Sequence, residues 1–193
     1  MLAAKKAPAA VVAAIGIALA LTGCTPDPAP QAMEKPPAAP SSSAADQAAT
    51  VAWMNGFCGA VKDFIDGNNK MPAAGGDTVE AITKSTSDQL GHYASILGKT
   101  VEELNALPPA PVPAADAAEK DFLGKYTAAR DKVVKAKADL DAAKRSDTAA
   151  QARAVDGLMA AQKDAHGALD PVKAVLDSPE LTKAAATAER CRP

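Results

Sequence analysis

The residues best equipped for chemistry in this 193-residue chain are three cysteines, Cys24, Cys58 and Cys191, and two histidines, His92 and His166. A metal centre wants three or four ligands at i, i+4 or similar spacing, as in His-Glu-x-x-His, and neither histidine has such company. His92 follows Gly91 in a helical stretch, and His166 has Asp170 one turn on; both positions suit a surface or bundle-edge side chain. There is no Gly-x-Ser-x-Gly elbow, no Ser-x-x-Lys and no Gly-x-x-x-x-Gly-Lys loop. The serines of Lys84-Ser85-Thr86-Ser87-Asp88 lie on an ordinary helical pattern. Carboxylates are plentiful, but an acid–base pair needs a proximity in space that spacing does not supply, and on helices of this kind most form a solvated face. This points away from an enzyme and implies no metal and no cofactor.

The cysteines carry more information. The chain opens with Lys5 and Lys6, then runs without a charge to Leu21-Thr22-Gly23-Cys24. A short positive region followed by about 13 to 15 apolar residues reads as a secretory signal, too short to span a bilayer comfortably. Its end resembles the lipobox of bacterial lipoproteins: an aliphatic residue, a small one, Gly or Ala, then the acceptor cysteine. The resemblance covers this segment alone. It implies cleavage before Cys24, so that residues 1–23 are removed. It also implies lipidation of Cys24 with a diacylglycerol and acyl chains such as palmitate, and residence at a cell membrane on its extracytoplasmic face. Two or more acyl chains on one residue anchor stably, where one would be marginal.

With Cys24 taken by lipid, Cys58 and Cys191 remain as an even pair in an oxidising compartment, where disulfides persist. They are expected to be joined. Such a bond closes a loop of nearly the whole folded region, which chain-entropy arithmetic values at about 4 to 5 kcal/mol.

Residues 24–48 hold Cys24 and a Pro/Ala/Ser stretch with few large apolar side chains, expected to be a disordered tether. Ser41, Ser42 and Ser43 beside Pro40 suit glycosylation, though a solubilising linker is the simpler reading. Residues 49–193 read as a single helical domain. Roughly half of the 48% hydrophobic content is alanine and only 3% of the chain is aromatic, which favours helix over strand and a thin core. The apolar spacing predicts a first helix with Val51, Met54, Cys58, Val61 and Ile65 inward, widened by Trp53, Phe57 and Phe64. A second opens at Asp77 or Thr78, with Val79, Ile82, Gln89 or Leu90, Tyr93, Leu97, Val101 and Leu104 inward. A third, over about residues 114–145, turns Phe122, Tyr126, Val133 and Leu140 inward. A fourth, over about residues 147–169, uses Val155, Leu158, Met159, Ala165 and Leu169, and Pro171 ends or kinks it. Ser178-Pro179-Glu180 opens a short last helix carrying Cys191. The expectation is an all-α antiparallel bundle of four long helices plus a short C-terminal helix with one disulfide. Its halves are joined by the stiff stretch from Pro108 to Pro113, which is also a possible polyproline ligand.

Removing Lys5 and Lys6 takes the formal charge from −2 to −4, which argues against nucleic acid. Six Lys and Arg residues between 130 and 145 alternate with Asp131, Asp139 and Asp141, the pattern of an exposed helix laced with surface pairs. Gly91, Gly98, Gly157 and Gly167 interrupt helices, either to let neighbours approach or to leave room for a ligand. Beyond the lipobox, Trp53-Met54-Asn55-Gly56-Phe57-Cys58 and the late Cys191 give a loose likeness to the alanine-rich small secreted lipoproteins of high-GC actinobacteria. The functional expectation is an envelope-anchored module that binds or scaffolds an envelope protein partner. The alternatives are a carrier of a small apolar ligand in the bundle and, third, an envelope enzyme. Protein purified without added metal should carry no stoichiometric zinc and take no serine-directed probe; a metal equivalent, or one labelled serine, would overturn the non-enzyme reading.

Overall fold

The computed structural model describes residues 43–167 and 175–192. Cys24, the signal and most of the tether lie outside the described residues, as do Leu169, Asp170 and Pro171. The described part is all-α, as expected, with no strand among its residues. Its helices are α1 (Ala44–Asn68), α2 (Val79–Asn105), α3 (Pro113–Ala142), α4 (Thr148–Gly167) and α5 (Pro179–Thr187), followed by a 3-10 turn (Glu189–Cys191).

The helix starts follow local chemistry. Ser43 and Asp46 form a capping box: the Asp46 amide donates to Ser43 Oγ at 3.2 Å, and the Ser43 amide donates to the Asp46 carboxylate at 3.0 Å. This satisfies two otherwise orphaned donors and starts the helix inside the stretch expected to be tether up to residue 48. The cap also commits the Ser43 hydroxyl. Thr78 caps α2 by accepting from the Ala81 amide at 3.1 Å. Pro113 takes the first turn of α3, where its missing N–H is no loss. Ser178 caps α5, which ends at an extended Ala188, so Cys191 stands in the separate 3-10 turn. Between α1 and α2, Gly75 and Gly76 take φ of 144° and 148°, which side chains rarely adopt.

The core is built on rings. Trp53 and Phe57 stack with centroids 4.9 Å apart, and Phe57 meets Phe122 edge-on at 4.9 Å. Phe122 touches Tyr126 at 5.7 Å, Tyr126 touches Phe64 at 4.9 Å, and Phe64 reaches Tyr93 at 6.2 Å. Leu90, Leu97 and Leu104 of α2, with Val133 and Leu140 of α3, complete the buried set much as periodicity predicted. Along α2 and α3 the partners run in opposite order: Glu80 pairs with Arg145, Ser87 with Asp141, and Gly91 faces Lys137.

Several expected core positions face outward instead. Ile65 of α1 is 45% exposed, because the aromatic side chains of α1 already fill the interior face. Val79 and Ile82 are exposed because α1 stops short of them: its last turn meets α2 only at His92 and Ile96. In α4, Val155 and Met159 are exposed, while Ala150, Ala154, Ala161 and Ala165 form the buried face with Leu158. The cause is close approach. A Cβ added at Gly157 would lie 2.7 Å from the Ala136 Cβ, so α3 and α4 have no room for larger side chains between them.

The helical glycines therefore separate by environment. Alanine in place of glycine gains about 1 kcal/mol of helix propensity, while overpacking costs about 1–3 kcal/mol. At Gly157 the obstructing atom is a short side chain fixed to backbone, so Gly157→Ala should destabilise by up to about 2 kcal/mol net. An added Cβ at Gly98 meets nothing within 4 Å. Gly98→Ala should raise stability by up to about 1 kcal/mol, and denaturant melts of the two variants moving in the same direction would contradict this packing.

Candidate functional site

The first turns of α1, the α2–α3 connection and α5 enclose a cleft of about 450 Å³. Val51, Pro111, Val112 and Ala184 give it an apolar lining; Asp46, Glu180 and Lys183 supply charge. Thr50 and Thr187 also line it, but their hydroxyls donate back to the carbonyls of Asp46 and Ala184. A small amphipathic group would fit such a cleft.

One wall of this cleft, α5, is fastened to α1 through the turn that follows it. Cys58 and Cys191 are joined in a disulfide, as expected, across 133 residues of sequence. Beside it, the Arg190 amide donates to Asn55 Oδ1 at 3.1 Å, and the guanidinium donates to Gly59 O at 3.4 Å and Asp63 Oδ1 at 2.8 Å. A Cβ at Gly59 would sit 2.3 Å from the guanidinium, so a side chain there would push Arg190 from this seat. Asp63 also accepts from Lys99 at 3.0 Å, and Lys99 reaches Glu103 at 3.3 Å. Lys99 chiefly, then Arg190, holds the Asp63 carboxyl below the usual carboxylate range. These groups are largely solvated, so the pairs order the surface more than they stabilise it.

A second cleft, of about 550 Å³, lies between the start of α2 and the end of α3. In it Ser87 donates to Asp141 at 2.7 Å and accepts from Lys137 Nζ at 2.7 Å, and Lys137 bridges to Asp141 at 2.7 Å. Sequence reasoning missed this trio because 50 residues separate Ser87 from Lys137. Lys137, then Ser87, depresses the Asp141 pKa. The carboxylate facing the serine proton is thus a poor base, and the lysine donates to the serine rather than accepting from it. The trio works as a cross-link between α2 and α3, not as an activated nucleophile.

The other residues singled out in the sequence take ordinary places. His92 Nε2 lies 2.9 Å from Gly67 O at the end of α1, and His166 is exposed. Neither is brought beside a carboxylate by a described hydrogen bond, and no group of metal-binding side chains occurs among the described residues. Lys135–Asp139 and Lys137–Asp141 pair along α3 as the alternating charges predicted. Gly91 and Gly157 pack against Lys137 and Ala136 rather than opening a cavity. The glycines that matter for close approach also include Gly56 against Leu107 and Gly67 against Ile96, which periodicity did not single out. Compared with known protein families, curated proteins and solved structures, the chain matches none of them.

Both tyrosines are buried in the core. Burial, followed by the charge of Asp164, pushes Tyr93 up to about 12, and burial raises Tyr126 further. An acid whose folded pKa exceeds its unfolded value binds more protons when folded above pH 10, so stability must fall as pH rises from about 10 to 12. Titration at 295 nm should show no phenolate in the native protein at pH 10.5 and abundant phenolate in denaturant. Native phenolate absorbance near pH 10 would contradict the burial of both rings.

Proposed function

We propose that the chain is a membrane-anchored extracytoplasmic lipoprotein whose helical domain binds or scaffolds other envelope components. The observation that carries this reading is the cysteine arithmetic. The disulfide consumes Cys58 and Cys191, leaving Cys24 as the one cysteine outside it, at the end of a lipobox-like motif behind an apolar leader. A disulfide that closes most of the domain suits an oxidising compartment, where export would deliver it. The lipid on Cys24 holds the domain to the membrane, and the Pro-rich stretch gives it reach.

Partner binding has more support than a carrier role. The interior between the helices is taken up by aromatic rings, not by a glycine-lined cavity. Meanwhile Gln151 bonds to Val79 O at 3.0 Å and also to Thr83, which sets the start of α4 beside the start of α2. Val155 and Met159 follow Gln151 at single-turn intervals on α4, and Val79 and Ile82 stand on α2; all four are exposed. Apolar side chains grouped on neighbouring helices are what a protein partner buries.

Cys24→Ser tests the anchor. The variant should remain as uncleaved precursor or leave the membrane for the soluble fraction, and should lose its partition into detergent. Normal maturation and unchanged detergent partition would remove the basis for the whole proposal.

A further inference from the structure

We propose that the Cys58–Cys191 disulfide is a redox-sensitive clasp that sets whether α5 closes the cleft against α1. The cleft wall contributed by α5 consists of Glu180, Lys183, Ala184 and Thr187. Besides the disulfide, that wall is held by direct packing of α5 on α1 and by Val175 just before it, a small apolar contact for a segment of this length. The helix has nine residues, too few to be stable alone in water. It buries one large side chain, Leu181, with Ala184, and Ala188 just beyond it adds only a methyl group. Arg190 adds hydrogen bonds to Asn55, Gly59 and Asp63, but its pair with Asp63 is solvent-exposed and correspondingly weak. Against these contacts stands the entropy of ordering the segment. The covalent bond reverses the balance by keeping the turn at α1 permanently.

The bond is also open to attack. Cys58 and Cys191 are only partly buried, and Cys191 stands in a terminal turn instead of a helix interior. A dithiol reductant can act by thiolate attack on one sulfur to give a mixed disulfide, which its second thiol resolves. Two electrons and two protons pass to Cys58 and Cys191, and the dithiol leaves as a disulfide. The rings of α2 and α3 also contact one another and those of α1, and these contacts keep them in place when α5 is released and the cleft loses its wall.

The test is an NMR comparison of full-length, isotopically labelled protein in detergent micelles, oxidised and then treated with dithiothreitol well below the melting temperature. Amide signals of residues 180–191 should move to random-coil positions, and Val51 and Val112 should shift. Signals of residues 122–133 should stay, and reoxidation should restore the first spectrum. Cys191→Ser should give the released spectrum without reductant. Retention of the folded α5 signals after reduction would show that the noncovalent contacts suffice. Collapse of the whole spectrum would show that the bond holds the fold and gates nothing. Either result overturns the proposal.

Discussion

Six aromatic side chains must supply most of the large apolar surface in this alanine-rich chain, and they lie in one unbroken series of ring contacts from Trp53 to Tyr93. Offset, edge-on and tilted aromatic pairs add about 0.5–1.5 kcal/mol each beyond the area they bury. The series joins α1 to α3 and α2, so the position of each helix is set where its rings meet the others. Trp53 adds a directional contact, its Nε1–H donating to Glu119 at 3.1 Å. Tyr126 shows what the packing overrides: its hydroxyl is buried with no hydrogen-bond partner among the described residues, a cost of about 1–3 kcal/mol. A ring wedged between Phe64 and Phe122 holds its place despite it.

Away from the rings the helices close on methyl groups. The α3–α4 contact rests on Gly157 against Ala136 and on the buried alanines of α4, which contribute little area each but let the backbones approach. Such a contact is poor in transfer energy and sensitive to added volume. It is also poor in orientation, since methyl groups slide over one another. The charged pairs supply what is missing: Lys132 meets Asp164 across α3 and α4, and Arg145, just past the end of α3, meets Glu80 of α2. Each exposed pair is worth about 0–1 kcal/mol, so their effect is on register more than on stability.

Much of this was legible along the chain. The helices follow from apolar periodicity, and the caps at Thr78 and Ser178 from residue type. The box Ser43-Ala44-Ala45-Asp46 was there to be read, but it sits in a Pro/Ala/Ser context that reads as tether. The inward faces were less legible where alanine competes with larger residues. Periodicity weighs Val155 and Met159 above Ala154 and Ala161, yet it is the alanines, with Leu158, that α4 turns inward. The contacts that build the candidate sites were hidden for another reason. Arg190 on Gly59 and Ser87 on Lys137 join residues far apart in sequence, so no local pattern announces them. Cysteine pairing was the exception, because the lipobox-like motif set Cys24 apart and left Cys58 and Cys191 as the expected pair.

The placement of the clasp on α1 bears on the proposed anchoring. A lipid on Cys24 would transmit any pull on the domain through the tether to Ser43, the cap of α1. The residues that load first are those between Ser43 and Cys58, which include the α1 wall of the cleft and the start of the ring series. With the disulfide closed, unravelling past Cys58 must also pull Cys191 and the C-terminal turn away from α1, which adds their contacts to the resistance. With it open, the load continues along α1 toward Phe64, whose contacts with Tyr93 and Tyr126 then become the next barrier. If the chain is anchored as proposed, the same bond bears both on how far such a pull would travel into α1 and on whether the cleft beside that helix keeps both of its walls.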